Sequence, residues 1–517
     1  MLVIDKARTL ALKLNDPNRV LSAIPTATLV ELSGTPIVMA PHRLDEVKVL
    51  RNLGVCAPSP ILHYYDWPGS LIPYRHQRET AAFLTLNQRC LVLNEIGMGK
   101  TMTALWAADY LIKTGKIEKV LIMSPLSTLE RVWGDNIFTN LLDRKFVVLH
   151  GSAAKRRLLL RTEADFYIVN YDGFPTIEND CHDMFDLVIL DEAATYRHIS
   201  TQRFKLFSRW LKPQPKLWLW LMTGTPIPDS PLDAWALAKL IDSPALIKTF
   251  TAFRNQVMIK IGQWKFVPRP EATEIVEKIL QPAVRFTRDE CLDLPETIVQ
   301  TRQVNLTSEQ KKHYDQMLRH FIIEWSKEGT ITAVNEAVKM QKLVQIACGV
   351  VYSDDKQGIT LDCMPRINLV KELIEEAGEK VILFVPLTGV LHMLEKELCK
   401  HWVVGVVNGE VPSAERNEIF RDFQSQKNPH ILLAHPGTMS HGLTLTAAST
   451  IIWYGPITSN ETYVQANGRI ERIGKKHVSN VIHIEATELE HKIYNRLKNK
   501  QKLQGVLLDL IQQRSQE

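Results

Sequence analysis

The chain has 517 residues, 45% of them hydrophobic and 23% charged, with a formal net charge of +5. That length supplies two to four domains with sizeable cores, the composition fits a soluble globular protein, and the mild basicity is compatible with nucleic acid without establishing it. No apolar run reaches the ~18 residues of a membrane span, and seven widely spaced cysteines without a Cys-x-x-Cys argue against a zinc ribbon or a disulfide framework and for a reducing, cytoplasmic compartment.

Residues 1–70 mix apolar and polar positions and close on Tyr64-Tyr-Asp-Trp-Pro-Gly69, where the Trp-Pro-Gly turn marks a boundary. Strand-like runs then alternate with helical stretches: Cys90–Asn94, Val120–Ser124, Phe146–Leu149, Tyr167–Asn170, Leu187–Asp191 and Leu217–Thr223. Near-continuous apolar strands in such an alternation predict an α/β unit with a parallel sheet covered on both faces. The first run leads into Leu91-Val-Leu-Asn-Glu-Ile-Gly-Met-Gly-Lys-Thr101. Gly97, Met98 and Gly99 let backbone N–H groups close on phosphate oxygens at a helix N-terminus; Lys100 can reach the β/γ-phosphates and Thr101 can hold Mg²⁺. The strict phosphate-loop pattern would carry a glycine where Asn94 stands. Downstream, Phe185-Asp-Leu-Val-Ile-Leu-Asp-Glu-Ala-Ala194 is a buried-type strand that delivers two carboxylates. Asp191 suits Mg²⁺, directly or through water, and Glu192 suits orienting and deprotonating an attacking water.

Residues 230–345 carry helical periodicity, as in Ser308–Leu318, and few buried-strand candidates. A second alternating series follows at Val381–Val385, Val403–Val407, Ile431–His435, Thr450–Tyr454 and Asn480–Ile484, and Leu489 to Leu510 reads as an amphipathic helix. Within Gln465-Ala-Asn-Gly-Arg-Ile-Glu-Arg-Ile-Gly474, Arg469 and Arg472 are three apart and would share one face of a helix. Two guanidiniums so placed can stabilise the charge that develops in phosphoryl transfer.

Together these motifs resemble the superfamily-two helicases and, within them, the Swi/Snf-type double-stranded DNA translocases, from about residue 71 to the C-terminus. Pro73-Tyr-Arg-His-Gln-Arg78 looks like the glutamine motif, so that Gln77 would read adenine. Asn94–Thr101 looks like motif I, Met123-Ser-Pro-Leu126 like motif Ia, Asp191-Glu-Ala-Ala194 like motif II, and Met222-Thr-Gly-Thr-Pro226 like motif III. Lys380–Val385, His435–Leu445 and Gln465–Gly474 resemble motifs IV, V and VI, and Ala486–Tyr494 resembles the closing helix that braces the two lobes. The region from Ile279 to Pro295 resembles the helical protrusions of this group, and the compact layout is similar to helicases of tailed bacteriophages. Motif II usually ends in histidine, where this chain has Ala194.

The resemblance implies two RecA-like lobes with helical insertions and a small N-terminal domain: residues 1–70 accessory, 71–298 first lobe, 299–365 helical insertion and 366–517 second lobe. It implies ATP and Mg²⁺ between the lobes, with Lys100, Asp191, Glu192, Gln465, Arg469 and Arg472 catalytic and Thr101 and Asp191 on the metal. Thr223, Gly224, Thr225 and Gly442 would couple nucleotide state to DNA, and Ser124, Asn170 and Thr438 would touch its backbone. The expected activity is an ATP-driven motor on double-stranded or branched DNA, targeted by residues 1–70, the insertions or a protein partner. A strand-separating DNA or RNA helicase and an ATPase switch that loads a partner enzyme are the alternatives.

Overall fold

The computed structural model describes residues 2–32, 34–224, 230–261, 266–291, 297–328, 333–352, 358–439, 445–470 and 478–499, without the side chains of 288, 289 and 321–337. The chain divides into two units, Met1–Cys291 and Leu292–Glu517.

The first unit opens with an antiparallel sheet of β1 (Leu2–Ile4), β2 (Thr9–Leu12), β3 (Thr28–Leu32) and β4 (Thr35–Pro41), in the order β1-β2-β4-β3. Alternation sets its inner face: Leu10, Leu12, Val38 and Ala40 are buried while their chain neighbours are not. Helices Pro17–Ala23 and Leu44–Asn52 cover that face with Val20, Val47 and Leu50, which gives this segment a core of its own.

The larger sheet of the first unit contains β5 (Arg89–Val92), β6 (Val120–Ser124), β7 (Phe146–Val148), β8 (Phe166–Asn170), β9 (Leu187–Leu190) and β10 (Trp218–Met222). After a short hairpin, β11 (Met258–Lys260) with β12 (Phe266–Pro268), the strand β13 (Ala283–Val284) joins its edge. The order is β13-β5-β10-β9-β6-β8-β7 and every pair is parallel. Every residue of β6, β8 and β9 is buried, as expected of strands covered on both faces. Because the strands are parallel, all carboxyl ends lie on one edge. Asn94, Ser124, Asn170, Asp191 and Thr223 end or follow their strands there.

The second unit contains a six-stranded parallel sheet in the order β14-β21-β20-β17-β19-β18. Its strands are β14 (Thr297–Gln303), β17 (Lys380–Phe384), β18 (Val404–Val407), β19 (Ile431–Ala434), β20 (Ala448–Trp453) and β21 (Ser479–Glu485), and β15 (Val350–Tyr352) with β16 (Gly358–Thr360) makes a separate hairpin. Strand β14 lies in the stretch read from sequence as helical. No residue of it is buried, so an edge strand of this kind lacks the continuous apolar run by which a central strand is recognised. The sheets bear out the α/β reading with two parallel-sheet lobes.

Helix Glu488–Lys498 is tied to the second unit by a buried ion pair. Arg366, on helix Met364–Ala377, donates from Nη2 to both carboxylate oxygens of Glu490 at 2.8 and 2.9 Å, and from Nη1 to Tyr454 O at 2.7 Å. Glu490 also accepts the N–H groups of Ala486 and Thr487, so one side chain caps its helix and anchors it.

Candidate active site

The loop after β5 turns into helix Lys100–Lys113 through Gly97 and Gly99, with φ of 85° and 72°. Only glycine adopts this region without strain. At Gly99 there is also no room for a side chain, since a Cβ would lie 2.1 Å from Gln77 Nε2. Gln77 accepts from Tyr74 N at 2.9 Å, capping helix Arg75–Leu86, and donates to Met98 O at 3.4 Å. His76 Nε2 lies 3.1 Å from the same carbonyl and donates to it; burial lowers the imidazole pKa, which favours the neutral ring. Gln77 therefore holds the phosphate loop in shape, and His76, unmarked in the sequence reading, shares that task. Tyr74 is exposed and stacks on His76.

Asn94 shows why the loop dispenses with its first glycine. The side chain is buried, donates to Thr80 Oγ1 at 2.9 Å and accepts from Phe286 N at 3.0 Å. It ties the end of β5 to a helix on one side and to the segment after β13 on the other. Lys100 Nζ donates to Asn94 O at 2.9 Å and Glu95 O at 3.1 Å, so the ammonium is held over the loop by backbone acceptors. Thr101 follows, half-buried in the first turn of its helix. Gly224, after β10, abuts this loop, where a Cβ would come within 2.9 Å of Ile96 Cγ1. Thr223 is fully buried and donates its N–H to Val92 O at 3.0 Å. Thr225 lies outside the described residues.

Asp191 leaves β9 with 9% of its surface exposed. Its Oδ1 accepts from Glu192 N at 3.1 Å and its Oδ2 from Trp133 Nε1 at 3.1 Å, while Tyr171 Oη donates to its carbonyl. Burial, then the neighbouring Glu192, push the Asp191 carboxyl pKa up to about 7 against the pull of Lys100. Glu192 sits at φ 48°, a left-handed conformation costly for any residue with a Cβ. Backbone strain of this kind clusters at functional sites, and here it falls on the second residue of the acidic pair.

A profile of the SNF2-related domain matches residues 76–353, and one of the helicase conserved C-terminal domain matches residues 365–474. The chain belongs to the SNF2-related family. As a family member it is a helicase-like, DNA-dependent ATPase. A putative protein of Acyrthosiphon pisum secondary endosymbiont phage 1 is 27% identical over 454 residues, 81% of this chain and 94% of that one. The SWI/SNF chromatin-remodeling complex subunit snf22 of Schizosaccharomyces pombe is 24% identical over 82% of this chain, which spans 27% of the larger protein. Among solved structures, the SWI2/SNF2 ATPase core of Sulfolobus solfataricus in complex with dsDNA shares 20% identity, with a TM-score of 0.39 and coverage of 84% and 92% of the two chains.

The remaining expected positions of this SNF2-related chain divide unevenly. Asn170 is buried, with Arg156 Nη2 donating to its Oδ1 at 3.4 Å; Arg156 also reaches Leu149 O, so one cation of the basic run Lys155-Arg-Arg157 lies at the same sheet edge. Ser124 is fully buried, which withdraws its hydroxyl from a DNA phosphate in this conformation. Thr438 is half-buried and bonds to His435 O at 2.7 Å.

Helix Asn460–Asn467 ends before Arg469. Asn467 and Gly468 are poor helix formers, and Asn467 spends its side-chain oxygen on Trp453 Nε1 at 2.9 Å. Gln465 is buried and donates to Glu461 at 3.3 Å; Arg469 is buried in the turn that follows. Arg472 and Gly442 lie outside the described residues. Trp133 and Trp453 are fully buried, in keeping with packing rather than base stacking.

Proposed function

We propose that this SNF2-related chain is a motor that couples ATP hydrolysis to movement along duplex DNA, in remodelling or in branch and fork processing. The observation that carries the reading is the convergence of Lys100, Asp191 and Glu192 at one carboxyl edge of a parallel sheet, with Lys100 opening the helix that follows a left-handed glycine turn. Lys100 and the loop bind the β/γ-phosphates, Gln77 reads the adenine, and Glu192 orients and deprotonates water. Arg469 and Arg472 are assigned to the developing phosphoryl charge, and Gln465 to the same group. Thr223, Gly224, Thr225 and Gly442 relay nucleotide state, and Ser124, Asn170 and Thr438 mark the segments that meet the DNA backbone.

The donor set fits Mg²⁺. A buried carboxylate that carries a desolvation cost and a threonine hydroxyl at a helix N-terminus are hard oxygen ligands, and a cation offsets that cost. Thr101 and Asp191 would hold it. When bound, Mg²⁺ neutralises charge on the β- and γ-phosphates.

Within this reading residues 1–70 are an accessory domain, 71–298 and 366–517 the two lobes, and 299–365 an insertion. The phage relative supports a cytoplasmic location, that of a bacterial host if the chain is phage-encoded; no described helix is long and apolar enough to cross a membrane.

The test is the steady-state ATPase rate without nucleic acid and with single strands, duplexes of increasing length, forks and RNA. Stimulation that grows with duplex length supports the motor. Stimulation by single strands or RNA alone replaces it with a strand-separating helicase, and a low rate independent of length replaces it with a switch.

A further inference from the structure

Trp133 lies well beyond the phosphate loop in sequence, between Arg131 and Asp135. It is fully buried. Its backbone is unusual: Leu129–Gly134 is a π-helical turn, closed by Asp135 N–H donating to Glu130 O. Such turns insert one residue into a helix and re-aim the side chains around it, and they concentrate at functional positions. Gly134 lets the turn pack tightly, since a Cβ there would lie 3.2 Å from Phe146 Cε2. The result is that the indole Nε1–H reaches Asp191 Oδ2 at 3.1 Å, across 58 residues of sequence.

A buried indole N–H needs an acceptor, and a carbonyl usually serves. Here the acceptor is the carboxylate assigned to the metal. The two oxygens of Asp191 are then each held by one donor, Glu192 N on Oδ1 and Trp133 Nε1 on Oδ2. Tyr171 Oη fixes the carbonyl of the same residue. Both the rotation of the carboxylate and the position of its backbone are determined before any ligand arrives.

We propose that Trp133 is a positioning residue for Mg²⁺: its indole N–H orients Asp191, and the π-turn of Leu129–Gly134 exists to aim it. This rests on the reading of Asp191 as a metal ligand. Partners that orient a ligating carboxylate typically set metal affinity by about 10–100-fold. Removing the N–H frees the carboxylate to rotate and leaves Oδ2 buried without a donor.

The experiment measures ADP binding by calorimetry with Mg²⁺ and with EDTA, together with Mn²⁺ binding to the ADP complex by electron paramagnetic resonance; neither requires turnover. Trp133→Phe keeps most of the packing and removes the donor. Should it fold poorly, benzothienylalanine at position 133 replaces the N–H with sulfur at nearly constant shape. The expected result is a loss of about tenfold or more in the Mg²⁺-dependent part of the affinity, with binding in EDTA changed less than about twofold. Asp191→Asn is measured in parallel. If Asp191→Asn loses the metal-dependent increment and both position-133 variants keep it, the proposal is overturned while the site assignment stands. Equal losses with and without metal make Trp133 merely structural and also overturn it. If Asp191→Asn keeps the increment, the metal assignment itself fails, and the role of Trp133 fails with it.

Discussion

Asn94 occupies the place of a glycine in the strict phosphate-loop pattern, and its environment explains the exchange. Two hydrogen bonds made by a buried amide join three segments, so Asn94→Gly, although it restores the pattern, is expected to cost about 1–3 kcal/mol, read as a lower denaturation midpoint in urea. Ala194 replaces the usual histidine of motif II and is 2% exposed. Restoring it by Ala194→His overpacks the turn after Glu192, with an expected loss of about 1–3 kcal/mol and no gain in DNA-stimulated turnover. Glu192→Gln keeps the size of the side chain and removes the base. Turnover should fall about 10²–10⁴-fold while ATP still binds; near-normal turnover would mean that another group activates water. The glycines, the lysine and the acidic pair were legible in sequence because each is a residue type that the chemistry demands. His76 and Trp133 were not, because each stands among mixed polar and apolar neighbours that carry no sign of its role until its hydrogen-bond acceptor is known.

Among elements, the turn from β5 into helix Lys100–Lys113 is the most constrained. Gly99→Ala must place a Cβ in a left-handed conformation and displace Gln77, which in turn caps helix Arg75–Leu86. Nucleotide affinity is expected to drop by about tenfold or more, equivalent to at least ~1.4 kcal/mol, and equilibrium binding of a nonhydrolysable ATP analogue would show it. The strands of both sheets stood out in sequence where they are buried on two faces. The opening four-stranded sheet and β14 did not, because half-buried alternation and exposed edges leave a weak signal. Helix Asn460–Asn467 stops short of Arg469, and local propensity at Asn467 and Gly468 could have marked that end.

At the scale of the folded units, the second carries two buried ionisable features that set its stability. Glu490→Ala leaves Arg366 charged and buried without its carboxylate and should cost about 3–5 kcal/mol, loosening helix Glu488–Lys498 as seen by faster amide hydrogen exchange. His483 is fully buried, stacked on Tyr494 and hydrogen-bonded to Tyr463. Burial lowers its pKa to about 3. The unfolded chain protonates this histidine near pH 6.5, so its contribution to stability is fully present above that pH and is lost as pH falls toward 3. Unfolding followed between pH 7 and 4 should steepen accordingly, and His483→Phe should flatten the dependence; an unchanged slope would show that other groups govern acid unfolding.

The sequence by itself determined the class of fold and the phosphate chemistry. Short apolar runs that alternate with helical stretches point to central strands of covered sheets, and a Gly-x-Gly-Lys-Thr turn followed by an Asp-Glu strand end has few other uses. The tertiary structure decided how those residues are held. Backbone pairing brought the ends of β5, β9 and β10 to one edge, and burial pushed Asp191 away from its ordinary titration. A π-turn aimed an indole at that carboxylate from 58 residues away. Hydrogen bonds of this range depend on packing between elements, and no local pattern of residue types encodes them.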